Sequence, residues 1–237
     1  MKQLRADLHI HTCLSPCADR EMSPPAVVRR GRDSGLDLIA VCDHNSAENV
    51  AAAARAAEDT GLAVIGGMEI SSREEVHVLG IFRDDLSLLS AQEVVYENLR
   101  GDNDPETFGE QLVMNARGEV IGHNDRLLIG ATALALEEVV RTIHRFGGLA
   151  IAAHVDRPSF SIISQLGYIP PGLGLDAVEV CSDEPPPMRE DLAVIRSSDA
   201  HRSEEIGSRY TSFLVESPTV LEIGMALRRV RGRRTLT

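Results

Sequence analysis

The sequence predicts an α/β fold in which parallel strands are covered by helices. Short β-branched apolar runs alternate with longer helix-like segments along most of the 237-residue chain. Glycines stand where several of those segments would end, as is common just beyond a helix C-terminus. This alternation of strand and helix is typical of parallel sheets with helices outside. The pattern leaves open whether the sheet is open or closed into a barrel.

Eight apolar runs have the length of a buried strand, and none approaches the 18 residues of a membrane span. They are Leu4–Ile10, Leu36–Cys42, Leu62–Ile70, Val76–Phe82, Leu149–Val155, Ala177–Cys181, Leu192–Arg196 and Ser212–Val215.

Helix-like segments lie between these runs. Ser23 before Pro24, and Ser46 with Glu48 two residues later, predict the starts of two helices. Glycines at 35, 61 and 147 predict helix ends. The predicted helices are Pro24–Ser34, Ala47–Thr60, Thr132–Phe146 and Thr219–Val230.

One polar stretch, Gly101–Leu128, interrupts the alternation and contains a possible hairpin turn at Asn115–Gly118. A long insertion in a compact domain is commonly a lid or a binding loop. We therefore expect a single domain over residues 1–237 that carries an inserted loop or hairpin at about 101–128.

The composition bears on possible partners and location. The net charge is −12, and aromatic residues make up 3% of the chain, without any Trp. An acidic surface repels phosphates and anionic lipids, and few aromatics are available to stack bases. We expect no membrane partner, and long nucleic acid is an unlikely one. The N-terminal MKQLRADLHIH lacks an apolar signal stretch and the four cysteines form no disulfide framework, which favours a cytoplasmic protein.

The histidines are the most informative feature, because six of the eight lie in or just after predicted strands. Residues two apart on a strand point to the same side. The carboxyl ends of strands meet at one edge of an α/β fold, so these side chains should converge. Imidazole and carboxylate together suit Zn, Mn or Fe, and so many groups predict more than one ion. The residues are His9, His11, His44, Glu69, His77, His154, Asp199 and His201.

The same residues stand in ordered motifs that resemble those of the PHP (polymerase and histidinol phosphatase) superfamily. The resemblance extends from Asp7 to His201 and implies a distorted (β/α)7 barrel that holds two or three divalent metal ions and hydrolyses phosphate esters. The motifs are Asp7-Leu-His-Ile-His-Thr12, Cys42-Asp-His44, Gly67-Met-Glu-Ile-Ser71, His77-Val-Leu-Gly80, Ala153-His154 and Ser198-Asp-Ala-His201.

The resemblance also implies a set of metal ligands. One ion would take His9, His11, Glu69 and Asp199; a second would share Glu69 and add His77 and His154; a third would take His44 and His201. Glu69, Asp199, His201 and Asp43 are then also catalytic candidates. Asp43 is expected to orient His44 or a water.

At the third ion, this sequence departs from the pattern of the superfamily. Cys17 falls where relatives have a histidine or an aspartate, and Asp19 is the alternative ligand if the loop is shifted. A thiolate would favour Zn or Fe over Mn.

The implied reaction is attack on phosphorus by a hydroxide that two cations activate. The expected substrate is a small phosphorylated molecule or a nucleotide. Arg20, Arg157 and Arg202 are candidates for phosphate contacts because each is close in sequence to a ligand, although each could be an ordinary surface arginine. His123 in the insertion could reach the site as part of a lid.

Other functions remain open from the sequence. A PHP-like module could bind metal or a partner without catalysis; metal content and phosphatase activity would separate it from an enzyme. Histidinol-phosphate phosphatase, a nuclease acting on oligonucleotide ends and an amidohydrolase are lesser alternatives. The Gly172–Ala177 stretch matches a dinucleotide fingerprint in form, but it follows two prolines and predicts a turn.

Overall fold

A computed structural model describes residues 1–182 and 191–236. Its strands are β1 (Lys2–Ile10), β2 (Leu38–Val41), β3 (Ala63–Ser71), β4 (His77–Phe82), β5 (Leu112–Met114), β6 (Val120–His123), β7 (Leu149–Ala152), β8 (Ala177–Glu179), β9 (Ala193–Ile195), β10 (Thr211–Val215) and β11 (Arg234–Leu236). Its helices are α1 (Pro24–Asp33), α2 (Val50–Ala56), α3 (Asp85–Asn98), α4 (Pro105–Phe108), α5 (Leu136–Arg145), α6 (Ile162–Leu166) and α7 (Val220–Leu227), with a 3₁₀ turn at Ser203–Glu205.

Nine of the described strands form one sheet, in the order β11-β10-β1-β2-β3-β4-β7-β8-β9. The segment after β9 returns to β1, where Ile10 pairs with Ala200 and the His11 amide donates to the Ala200 carbonyl at 3.0 Å. The strands from β1 to β9 in this order therefore make a nearly closed seven-stranded barrel. This confirms the α/β class and the distorted (β/α)7 barrel.

The strand directions differ from the expected parallel arrangement. β4 runs antiparallel to both of its neighbours, β3 and β7. β10 also runs antiparallel to β1, and β11 runs antiparallel to β10. Only residues 72–76 separate β3 from β4, and so short a link cannot make the crossover that a parallel pair needs. As a result His77 at the start of β4 lies opposite Ser71 at the end of β3, so it stands at the same rim as the other strand ends.

Helices α1, α2, α5 and α7 lie where the sequence predicts helices, although α2 begins at Val50 rather than near Ala47. The Asn49 amide does not cap that helix; it donates instead to Thr12 Oγ1 at 2.9 Å and to the Leu112 carbonyl at 3.0 Å. α3, α4, α6 and β11 were not predicted. In the described ranges no helix is both long and apolar enough to cross a membrane.

The 101–128 stretch contains α4 and the two-stranded β5–β6 sheet. The hairpin turns at Asn115–Gly118, the expected place, where the Gly118 amide donates to the Asn115 carbonyl at 2.9 Å. Its first strand is fixed to the loop after β1 by a hydrogen bond from the Leu112 amide to the Cys13 carbonyl at 3.0 Å. The hairpin thus packs on the loop that follows the first two histidines.

Candidate metal centre

The rim of the barrel gathers side chains from five strand ends and from the start of β4. The imidazole rings lie against one another, with centroids 4.2 Å apart for His11 and His201 and 5.3 Å apart for His44 and His77. All of the members are buried except His201, which is partly exposed. They are His9, His11, His44, Glu69, His77, His154, Asp199 and His201.

The first ligand group comes from β1 and the segment after β9. His9 Nε2 and His11 Nε2 lie 3.1 Å apart, and Asp199 Oδ1 lies 3.2 and 3.1 Å from them. The register of β1 against β2 shifts between Asp7 and Ile10. Such bulges re-aim side chains next to active sites, and here the shift falls at His9.

Glu69 lies between the two sides of the cluster. Its Oε1 is 2.9 Å from His77 Nδ1 and 3.0 Å from His154 Nε2, and its Oε2 is 2.9 Å from His44 Nδ1. The same oxygens lie 3.5 Å from His9 Nε2 and 3.4 Å from His11 Nε2. A carboxylate in this position can serve two adjacent cations.

A third group brings potential ligand atoms of His11, His44 and His201 within 4.8 Å of one another. Cys17 is exposed at the rim beside it, and its thiol pKa falls to about 7, because hydrogen bonds to His201 and His44 outweigh the desolvation that opposes ionisation. The carboxylate of Asp19 instead points outward, 3.9 Å from Arg202 Nε. Of the two candidates, only Cys17 faces the imidazoles.

Glu179 at the end of β8 orients His9 and was not predicted from the sequence. This buried carboxylate accepts from His9 Nδ1 at 3.0 Å and from the His154 amide at 3.0 Å. A proton held on Nδ1 leaves the lone pair of Nε2 directed at the ligand group, as in carboxylate–histidine–metal triads. The available signal was a lone acid among the apolar residues of the Ala177–Cys181 run.

Asp43 acts on the cluster through Ser15 rather than by touching His44. Its carboxylate accepts from the Thr12 amide, the Thr12 hydroxyl and the Ser15 hydroxyl, each at 2.7 Å. Ser15 Oγ in turn lies 2.9 Å from His11 Nδ1 and accepts from the His44 amide at 3.1 Å. This network fixes the loop after β1 and leaves His11 Nε2 free for a ligand role.

The electrostatics of the cluster fit divalent cations. Burial opposes every charge here, yet His77, His9 and His44 hold the pKa of Glu69 well below its ordinary value. Asp199 and Glu179 conversely raise the pKa of His9 well above its ordinary value despite burial. The buried carboxylates therefore favour protonation of His9 and His44, a neutralising role that bound cations would take over. His154 Nδ1 is also buried without a hydrogen-bond partner in the described chain.

The backbone is strained beside the cluster. His154 has φ 32°, Phe160 has φ 56° and Asp199 has φ 50°, although none is a glycine. Non-glycine residues in such conformations cost on the order of 1–3 kcal/mol each and concentrate at functional sites.

A cavity of about 210 Å³ opens onto the cluster. Arg157 enters it and forms an ion pair through Nη1 with Asp199 Oδ2. The lining residues are Cys17, His44, Glu69, His77, Ile129, His154, Arg157, Ser159, Phe160, Asp199 and His201.

Three expected substrate contacts do not line this cavity. Arg20 is exposed and pairs with Glu110 at 2.9 Å, and Arg202 is exposed beside Asp19. His123 is exposed on β6, because the hairpin packs on the loop after β1 and does not fold over the cluster. Nearness in sequence to a ligand was therefore a poor guide for the two arginines.

Comparison with known proteins places this geometry in a family. The model of the PHP domain matches residues 7–154, and that of a PHP-associated region matches residues 188–231. A 5'-3' exoribonuclease of Haemophilus influenzae is 28% identical over 189 residues, which is 62% of this chain and 68% of that protein.

Solved structures share the fold. The lesion-specific endonuclease Q of Pyrococcus furiosus superposes with a TM-score of 0.75 at 20% identity. The match covers 99% of this chain but only 58% of that structure. A second structure, of endonuclease Q with a 27-mer duplex that carries an abasic lesion, has a TM-score of 0.73 at 20% identity and covers 98% and 58% of the two chains.

These findings contradict the expectation that the partner is a small phosphorylated molecule and that long nucleic acid is unlikely. Proteins similar to this chain are named for acting on nucleic acid, and one has been solved with a duplex. The expectation relied on the net charge of −12, which averages the whole surface. Attraction of a phosphate depends on the local field, and here Arg157 and a cluster of cation ligands set that field.

Proposed function

We propose that this chain, which belongs to the PHP domain family, is a metal-dependent phosphodiesterase that hydrolyses nucleic acid from an end of the strand. The observation that supports the proposal most strongly is the buried ligand cluster around Glu69, in which His9 and His11 are held with Nε2 facing the centre.

Two or three divalent ions, of Zn, Mn or Fe, are proposed for the cluster. His9, His11, Glu69 and Asp199 would hold one, and Glu69, His77 and His154 a second. His44 and His201 would hold the third, with Cys17 as the proposed further ligand because it faces both imidazoles. A thiolate there favours Zn or Fe.

When bound, such ions lower the pKa of water and neutralise the charge on phosphoryl oxygens. The protein's own residues bind and orient the ester. The Arg157 guanidinium can donate two hydrogen bonds to a non-bridging phosphate oxygen pair, while its contact with Asp199 keeps it at the rim of the cluster. Glu179 and Ser15 hold the Nδ1 atoms of His9 and His11, which keeps both rings fixed as the substrate binds.

The cavity supports action at a strand end. At about 210 Å³ it has room for one phosphodiester group with an attached sugar, and its walls come from strand-end loops on several sides. A continuous duplex would need an open groove along the surface. The exoribonuclease similarity agrees with this proposal.

The proposal is tested with 5'-phosphorylated single-stranded RNA and DNA decamers, incubated with Mn, Zn or Fe(II) after removal of bound metal. We expect mononucleotides to appear from the 5' end while the remaining strand shortens stepwise. Glu69→Gln should abolish cleavage, because it removes a charge shared by the proposed ions.

His144→Gln is the matched control, because His144 lies outside the cluster and pairs with Asp176 at 3.0 Å. It should cleave like the wild type. A protein that binds two or more ions but releases no nucleotide from any decamer would contradict the proposal and favour a non-catalytic binding module.

A further inference from the structure

Phe160 is an aromatic side chain displayed at the rim of the metal cluster. It is 45% exposed and lines the same cavity as Glu69 and Arg157. One face of its ring lies on the His77 imidazole, with centroids 4.9 Å apart and planes 15° apart. The remaining surface of the ring is open to solvent, although the residue lies beside a buried cluster.

The loop that carries Phe160 is held in place from both sides. The Phe160 carbonyl accepts from the His77 amide at 3.0 Å, and the Ser161 hydroxyl donates to the Arg157 carbonyl at 2.8 Å. Asp156 anchors the start of the loop by accepting from the Cys181 and Ser182 amides at 2.8 and 2.6 Å.

Phe160 also has a left-handed backbone, with φ 56°. For a bulky side chain this conformation is a true outlier, and strain of this kind points toward a function that requires it. The hydrogen bonds of this loop hold the strained residue in place, so an apolar ring stays partly exposed beside the cluster.

We propose that Phe160 is a stacking platform for the nucleobase of a nucleotide that flanks the phosphate to be cleaved; this inference rests on the proposed function. Arg157 and Phe160 lie three residues apart on one loop, so a single rigid element would contact both the phosphate and the base. Ile129, 37% exposed, lines the same cavity and adds apolar surface.

A stacking platform accepts every base, because each base has a π-face. The platform therefore predicts an enzyme with weak sequence preference. It also lets an acidic protein with few aromatics bind nucleic acid, since a single ring serves one nucleotide at a time.

The test combines a change in the protein with a change in the substrate. Decamers with an abasic residue at the first or the second position are compared with the intact strand, using wild type and Phe160→Gly. Glycine suits the positive φ, so this variant should fold; Phe160→Tyr retains the ring and should behave like the wild type.

Loss of either the ring or the flanking base should raise KM about 5- to 150-fold with kcat unchanged. Loss of both should be no worse than loss of one, because the same contact is removed. Leu221→Ala, at an exposed apolar position on α7, is the control and should leave both constants unchanged.

A binding readout separates this inference from the proposed activity. A strand with 2-aminopurine at the sensitive position should lose fluorescence on rapid mixing with wild type, before any cleavage, and keep it with Phe160→Gly. Cleavage of intact and abasic strands with the same KM, with fluorescence unchanged on binding, would overturn the platform and leave the nuclease intact. Fluorescence loss without cleavage would support the platform and refute the nuclease.

Discussion

Glu179 gives the sharpest test of how the cluster is organised. Replacing it with glutamine keeps the shape of the side chain but removes the charge that holds the proton on His9 Nδ1. The NH2 group of the new glutamine is a donor, and it would face either His9 Nδ1 or the backbone N–H of His154, both of which need an acceptor. Loss of such an outer partner costs about 10- to 100-fold in metal affinity, or about 1.4–2.7 kcal/mol.

The assay is competition for Zn²⁺ between metal-free protein and a chromophoric chelator. Glu222→Gln is a matched control, since Glu222 is also a buried acid but pairs with Arg233 at 3.1 Å, away from the cluster. It should lower the free energy of unfolding without weakening zinc binding. Equal zinc affinity for wild type and Glu179→Gln would refute the role assigned to Glu179.

Three other substitutions follow from the same geometry. Arg157→Ala should raise KM for a decamer about 10- to 150-fold in steady-state kinetics, since a charged hydrogen bond contributes about 1.5–3 kcal/mol. Arg157→Lys should raise KM by a smaller factor, and an unchanged KM in Arg157→Ala would remove Arg157 from the substrate site. Asp43→Ala should lower the free energy of unfolding in urea by about 3 kcal/mol, because three buried donors lose their acceptor. A loss below about 1 kcal/mol would contradict the role of Asp43 as their shared acceptor. Gly67→Ala should destabilise the protein by about 1–3 kcal/mol, because its new Cβ would lie 2.7 Å from Cys42 Sγ. The control Gly122→Ala, whose Cβ would have nothing within 4 Å, should leave the stability unchanged. Equal stabilities of the two variants would show that the barrel wall relaxes freely.

The sequence predicted the α/β class because strand-like and helix-like segments alternate along the chain, whereas the barrel followed from the resemblance of the motifs to those of the PHP superfamily. Apolar runs ended in ligand-type residues again and again, and His9 and His11 stood two apart on one strand. The direction of β4 was missed because periodicity carries no direction. The short link between β3 and β4 was the signal that could have revealed it.

The groups that orient the ligands were harder to predict. Glu179 is 170 residues from His9 along the chain, and only the fold brings them together. Ser15 is an ordinary loop serine until its hydroxyl is placed between His11 and Asp43. Their roles depend on three-dimensional contacts between distant segments.

The arginines that would contact the substrate were also hard to predict from the sequence. All three candidates were close in sequence to a ligand, but only Arg157 lies on a loop that turns back over the cluster. Arg20 and Arg202 find acidic partners on the outer surface. Loop conformation decides between these outcomes, and periodicity does not describe it.

The central claim is that the histidines and carboxylates at the barrel rim meet around shared divalent ions. Anomalous diffraction from crystals grown with Zn²⁺, collected above and below the zinc absorption edge, tests it most directly. We predict at least two anomalous peaks among His9, His11, Glu69, His77 and Asp199. The carboxylate of Glu69 should contact more than one of the zinc ions that give these peaks. A cluster without an anomalous peak at saturating zinc, or peaks bound only at surface sites, would contradict the account.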